Sequence, residues 1–478
     1  MSQLTKSYFP PQATTSGQIH TRDLTHPWLV FSTFLVLMIA CYFPVLNPNY
    51  AVSDDFYHLA RSLRVQDWFS SLMMVTFLQG RPLDGLALGL CLNLLHEISS
   101  FAYLRLAGII GAAGVAFCSY SMLLKSGWSK VQAFCMAICF VTVPAFQVFV
   151  SWSIAALYVF PAYGAYFAVN LAQRSVNATM RPKILLLLAA TVCLFLALCL
   201  YQPSSMLFWL FVGILLFSDR AEAITSHIKL IFALLGVFSV SVILNIATFE
   251  WAKHYFGTAS VLPQRSHFST HVLAKLHWFV TGPLVDALNF SRIQPSSKIA
   301  ALTFFLIALG LVVYFQGNLG EKLVKGAFAL CLIPLAYLPN LAIAENFVTY
   351  RTEAALTPLL VFYAFLAYFG FSQCMIKNLS SIVRNTIPFG ACLASLACAN
   401  YNVTMYFVIP QVLELNLTRS QLSGEFGEKR QNNPLSLTRD DTLAPCVRYD
   451  EFGLPSMAQP WVPEPVTFLL RQQLGNSR

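Results

Sequence analysis

The run Ser53-Asp54-Asp55-Phe56-Tyr57-His58 sets two carboxylates side by side, with a phenol and an imidazole close behind them. Adjacent acids raise each other's pKa. Such a pair suits a general base, or a metal or phosphate-lipid site at a water interface. It also suits a plainer role, with Asp54 or Asp55 capping a surface helix over 55–65. Further on, Gly80-Arg81-Pro82 places Arg81 between two apolar stretches. There it can clamp a phosphate or carboxylate with two nitrogens, or snorkel to the level of the lipid headgroups. Tyr201-Gln202-Pro203 is either a tight turn between helices or a pocket wall. In the run from Glu345 through Tyr350 and Arg351 to Glu353, Arg351 stands at a helix start, where the macrodipole disfavours a cation. It therefore answers a negative charge: Glu345, Glu353 or a lipid phosphate. Glu250, His254, His267 and His271 have no clean ligand spacing, and no metal site is read there.

These residues form a coherent chemical set. An acceptor hydroxyl needs a base to take its proton. A lipid-phosphate leaving group needs little acid help, but it needs positive charge where negative charge develops. One carboxylate and one arginine are close to a minimal inventory for moving a group off a lipid phosphate.

The elements that must position them are set by composition. Hydrophobic residues make up 57% of the 478 and charged residues 11%, against roughly 25% charged in a soluble protein. Mean hydropathy is +0.62. A soluble single-domain enzyme, a disordered chain and a coiled coil are excluded. Nucleic-acid binding is disfavoured, because the net charge of +9 is thinly spread. What is left is a polytopic membrane protein, all-α because lipid offers no partners for open backbone. A span needs about 20 apolar residues. The runs 27–47, 102–123, 131–150, 153–172, 184–201, 203–218, 229–249, 299–316, 326–344, 354–372 and 387–409 predict about eleven transmembrane helices, the first retained rather than cleaved.

Alternate loops are short and basic: Lys125 and Lys130; Arg174, Arg181 and Lys183; Arg220 and Lys229; Lys322 and Lys325; Lys377 and Arg384. The positive-inside rule makes these loops and the N-terminus cytoplasmic. The outer regions are then 48–101, 250–298 and everything after 409. Within the first, 68–79 and 83–98 are apolar but short and read as interfacial helices, as does 277–290. The segment 410–478 holds seven Lys/Arg and eight Asp/Glu and is broken by prolines. It reads as a small extracytoplasmic C-terminal domain, marginal alone at that size. The expected division is a cytoplasmic tail over 1–26, a transmembrane domain over 27–409 and the outer domain over 410–478. Nearly all twelve cysteines lie in apolar runs and act as small hydrophobes, so neither a zinc site nor a disulfide framework is read.

An N-terminal span followed by Asp54-Asp55, then Trp68, Gly80-Arg81-Pro82-Leu83, Tyr201-Gln202 and Tyr350-Arg351, resembles the polytopic GT-C glycosyltransferases. More closely it resembles the bacterial type-II O-antigen glucosyltransferase (Gtr) family. Members often follow Asp-Asp with Tyr or Trp; here Phe56 follows and Tyr57 comes one later. The resemblance implies a multi-pass enzyme of the bacterial inner membrane. It would move a hexose, with inversion, from a polyprenyl-phosphate sugar lipid to a periplasmic glycan or lipopolysaccharide O-antigen. Asp54 or Asp55 would be the base, and Arg351 and Arg81 would bind the donor phosphate. Tyr57, His58, Tyr201, Gln202, Glu345 and Tyr350 would line the substrate pocket. Enzymes of this type differ in needing a divalent cation, so Mg or Mn stays open, as does a flippase partner supplying the donor. Two other classes compete: a polysaccharide polymerase, expected to use arginine-rich outer loops, and a lipid-linked sugar transporter or flippase. Transporters place ionisable residues at mid-membrane on broken helices, often with internal repeats. Most span interiors here lack acids and bases, and no repeat is evident.

Overall fold

The computed structural model describes residues 26–218, 227–257, 267–375, 381–427 and 448–476. The tail 1–25, the stretch 428–447 and the basic loop residues Arg220 and Lys377 lie outside the described residues. The described chain is helical apart from two isolated bridges, Phe268 with Ile343 and Arg448 with Phe452. In order come α1 Pro27–Tyr42, α2 Asp54–Arg64, α3 Trp68–Phe77, α4 Pro82–Leu92, α5 Phe101–Lys125, α6 Lys130–Val141 and α7 Pro144–Ser151. A 3-10 segment, Ser153–Val159, leads into α8 Pro161–Ser175 and α9 Met180–Leu200. Then come α10 Gln202–Ser205, α11 Leu207–Phe217 and α12 Ile228–Phe256. The longer helices beyond are Ser297–Tyr314, Leu319–Leu335, Leu356–Met375, Ser381–Val403, Ile409–Gly427 and Pro463–Asn476.

The chain is an all-α multi-pass membrane protein, but the expected count of about eleven spans is wrong. Among the described residues seven helices are long and apolar enough to cross, or eight if the bent pair Lys130–Val141 and Pro144–Ser151 is one span. The difference lies in backbone breaks that hydropathy does not register. The run 131–150 bends by 62° where Pro144, with no N–H to give, starts a new helix. The run 203–218 yields only the short apolar helix Gln202–Phe217, and 354–372 only Leu356–Ser372, after a 3-10 turn at Tyr350–Glu353. The run 326–344 is divided between Leu319–Leu335, with Pro334 inside it, and Leu338–Ala342.

Helices α3 and α4 have 10 and 11 residues. At 1.5 Å per residue each covers about half of a bilayer core. They pair with each other and set Arg81 in the turn between them.

Glycines on α5 let α7 and the segment after it approach the α5 backbone, as small residues do between membrane helices. A Cβ at Gly108 would come to 3.1 Å from the Phe149 carbonyl, and one at Gly111 to 2.9 Å from Val159. This close approach places Trp152 and Tyr158. The same helix fixes the first loop. Arg105 is fully buried and its guanidinium donates to the carbonyls of Val45 (2.6 Å), Asn47 (2.8 Å) and Tyr50 (3.2 Å) and to Ser153 Oγ (2.9 Å). It lies 4.1 Å over the Tyr50 ring. A non-helical loop at the membrane edge must find partners for its carbonyls, and this one side chain serves three of them.

Arg105→Ala leaves those carbonyls buried and unpaired. Hydrogen bonds to a charged group are worth about 1.5–3 kcal/mol each, so the variant should lose its monodisperse peak in detergent or melt far below wild type. Arg105→Lys should fall between the two. A wild-type melting temperature for Arg105→Ala would show that the loop is held by other contacts.

Candidate functional site

The two acids of the first loop have different surroundings. Asp55 is fully buried. Its Oδ2 accepts from the Val52 amide and its Oδ1 from the Ile154 amide, each at 3.0 Å. Burial pushes its carboxyl up to about 6, held from rising further by those two amides, Arg105 and Ser153. Asp55 therefore closes the N-terminal turn of α2 and ties it to the 3-10 segment. Asp54 is half-exposed; its Oδ1 accepts from Trp461 Nε1 at 2.9 Å. The preceding Ser53 has φ +37°, a strained left-handed conformation, held by its N–H donating to Ser456 Oγ at 2.7 Å. The turn thus directs adjacent carboxylates to opposite duties, one inward to backbone and one to a cavity.

That cavity, about 340 Å³, is walled by Asp54, Trp152, Thr349, Tyr449, Asp450 and Trp461 among others. Tyr57 and His58 sit on the next turn of α2. Tyr57 Oη accepts from Arg61 at 2.6 Å, and the Tyr57 and His58 rings meet edge to face. Neither lines this cavity.

A second group forms around Arg81. Its Nε donates to Gln202 Oε1 at 2.9 Å, and its guanidinium lies 4.7 Å over the Tyr201 ring. Gln202 Nε2 donates back to the Gly80 carbonyl at 2.9 Å, as does Asn245 at 3.1 Å. Gly80 has φ +70°, a conformation that glycine tolerates and that makes its carbonyl available. Tyr201 stacks on Tyr158 with ring centres 3.9 Å apart and planes at 4°. Tyr158 donates to Asp84 Oδ2 at 3.2 Å. Asp84 is 3% exposed and its Oδ1 has no partner among the described residues. Burial pushes its carboxyl up to about 7, against the pull of Arg81 and the Tyr158 hydroxyl. Arg81 and Gln202 line a cavity of about 450 Å³ with Leu78, Phe238, Phe249 and Asn340. No Asp or Glu among the described residues lines it.

Arg351 joins the two groups. Tyr201 Oη donates to the Arg351 carbonyl at 3.4 Å. The Arg351 guanidinium lies 4.6 Å over Trp152. It answers negative charge, as its helix position requires, but from the C-terminal segment: Asp450 Oδ2 at 2.7 Å and Glu451 Oε1 at 3.6 Å. Glu451 also accepts from the amides of Tyr350 (2.7 Å) and Arg351 (3.1 Å). Tyr350 is buried and its hydroxyl donates to the Ile293 carbonyl at 2.7 Å. Glu353 is buried as well; burial first, then Asp286 and Glu451, push its carboxyl well above the usual range. Glu345 stands apart, its carbonyl accepting from Lys275 Nζ at 2.5 Å.

Of the residues singled out, Asp54 lines one cavity and Arg81 and Gln202 the other; Tyr201 and Arg351 lie between them against Tyr158 and Trp152, and Asp55, Tyr57, His58, Glu345 and Tyr350 line neither. Asp84, Trp152, Tyr158, Asp450, Glu451 and Trp461 were not singled out in the sequence. Asp84 alone carried a signal, an acid at the head of an apolar stretch. Among the described residues, no three His, Cys, Asp or Glu side chains converge to hold a metal ion. Compared with known proteins, the chain matches no family model and no curated protein. The likeness to glycosyltransferases therefore rests on the short motifs alone.

Asp84 gives Arg81 a pH-dependent neighbour. An acid raised to about 7 is neutral below that pH and charged above it. A phosphodiester keeps one negative charge throughout. Its binding at Arg81 should weaken roughly threefold to tenfold from pH 6 to pH 8 as the opposing charge appears. His267 lines the same cavity, so the reference is Asp84→Asn, which keeps it. Titration calorimetry with a short-chain prenyl phosphodiester should find the pH dependence reduced in that variant. An unchanged pH profile would remove Asp84 from the site.

Proposed function

We propose that the chain is a GT-C-type glycosyltransferase that moves a hexose from a polyprenyl-phosphate donor to a glycan or lipopolysaccharide O-antigen. The reaction would take place at the outer face of the bacterial inner membrane. The single observation that carries this reading is the division of labour between the two cavities. One presents a half-exposed carboxylate; the other is mainly apolar and presents an arginine with no acid among the described residues of its wall. Lipid-linked sugars need both surfaces at once. The basic residues Lys125 and Lys130 after the second span support a cytoplasmic N-terminus, and the C-terminal segment shares the face of the first loop, to which Ser456 and Trp461 are hydrogen-bonded.

In this reading Asp54 takes the proton of the acceptor hydroxyl as its oxygen attacks the anomeric carbon. The bond from that carbon to the phosphate oxygen breaks on the opposite face, which gives inversion. The electron pair leaves with the lipid phosphate, and Arg81 meets the developing charge. The Arg81 side chain makes one hydrogen bond among the described residues, from Nε to Gln202, so its terminal nitrogens suit a planar two-pronged contact with phosphate. Arg351 already carries Asp450 and Glu451 and would act at second hand, steadying Trp152 and Tyr201. Asp55 would position Asp54 rather than react.

The test incubates purified protein in nanodiscs with radiolabelled polyprenyl-phosphate hexoses and follows label leaving the lipid. Removing a general base costs about 10²–10⁴-fold, so Asp54→Asn should fall by about two orders of magnitude while still inserting. Asn caps a helix about as well as Asp, so a capping role alone leaves that variant near wild type. Arg81→Lys should also lose most turnover, because an ammonium cannot copy the fork. Near-wild-type transfer by Asp54→Asn would contradict the assignment of the base.

A further inference from the structure

The 340 Å³ cavity has features that a proton-accepting carboxylate does not require. Its volume lies at the small end of the range for small-molecule sites. Four aromatic residues wall it, from three parts of the chain: Trp152 from the turn after α7, Phe347 from the run before Tyr350, and Tyr449 and Trp461 from the C-terminal segment. Two acids wall it as well, Asp54 and Asp450. Trp461 is 46% exposed, an unusual cost for the largest apolar side chain, and its Nε1 is spent on Asp54. Trp152 is 2% exposed, yet its Nε1 has no partner among the described residues, nor has the buried Oδ1 of Asp450. Both atoms belong to residues that line the cavity, and an unmade hydrogen bond on a buried polar group costs free energy.

The C-terminal segment is also built to hold that wall in place. Tyr449 has φ +57° in a tight turn closed by the Arg448–Phe452 bridge. Phe452 is buried against Tyr350 and Phe407. Ser456 is tied to the first loop through Ser53 and to the helix Ile409–Gly427 through Gln411 and Glu414. Arg64 pairs with Glu464 at 2.5 Å and covers Phe468. Trp461 therefore hangs from an anchored frame.

We propose that this cavity is the acceptor subsite and binds one or two sugar residues of a neutral oligosaccharide, with Trp461 as its stacking platform. A pyranose presents C–H groups on its faces and hydroxyls around its rim. Its apolar face suits the exposed indole, and its rim suits a mixture of carboxylates and an indole N–H. The inference rests on the transferase reading for the word acceptor, but not for the binding itself.

Saturation-transfer NMR on the full chain in detergent, with maltotriose, cellotriose and chitotriose at millimolar concentration, tests it. At least one trisaccharide should receive saturation. Trp461→Ala should weaken that ligand by about tenfold or more. Trp461→Phe keeps the ring and should lose only about threefold. Trp461 lies at the surface, so both variants should retain the wild-type elution profile and melting temperature. Saturation of no trisaccharide, or saturation unaltered in Trp461→Ala, overturns the proposal. Binding that depends on Trp461 without any label leaving a lipid donor would keep the subsite and remove the transferase. Label release without sugar binding would do the reverse.

Discussion

The Arg105 guanidinium is the contact on which the first loop depends. A membrane protein can leave helical geometry near lipid only where buried side chains satisfy the backbone. Arg105 does this for the turn after α1, taking three carbonyls and Ser153. Asp55 completes the arrangement from the other side by accepting two amides, one from the loop and one from the segment after α7. Donor and acceptor demand of the same loop are thus met by one cation and one anion at its two edges. With the loop pinned, Ser53 can hold its left-handed φ of +37° and Asp54 is delivered to the cavity.

The two arginines first singled out divide along the same logic. Arg351 sits on Trp152 with two carboxylates from the C-terminal segment already in place. Arg81 sits on Tyr201 with a neutral amide as its hydrogen-bond partner. Both rest on aromatic faces, which attract a cation where water is scarce. The stacked pair Tyr158 and Tyr201 links the two environments and ends on Asp84. A field is thereby set up across the site, neutralised on the side of the C-terminal segment and positive beside the apolar cavity.

The helical class and the membrane setting were legible in composition, because lipid imposes helices on any chain this apolar. Span number was not. Hydropathy reads side chains, whereas Thr142-Val143-Pro144 and Pro334 act on the backbone. Asp54, Arg81 and Gln202 were visible as polar residues in apolar surroundings. The different fates of Asp54 and Asp55 were not, since they depend on the Ile154 amide and the buried Arg105, some 50 to 100 residues away in sequence, and on Trp461 at the far end of the chain. Trp152 and Tyr158 were hidden inside apolar runs. Asp450, Glu451 and Trp461 belong to a segment that read as a separate domain, and their roles appear only when that segment packs on the first loop.

In the proposed transferase one site spans both cavities, with the lipid phosphate at Arg81 and the reacting sugar directed toward Asp54. The most direct measurement is a cryo-EM structure of the Asp54→Asn protein bound to a polyprenyl-phosphate hexose. The expected result is phosphate density within hydrogen-bonding distance of Arg81, the prenyl chain in the cavity lined by Phe238 and Phe249, and the hexose on the side of Trp152 and residue 54. Density for the headgroup elsewhere, with Arg81 still bonded only to Gln202, would contradict it.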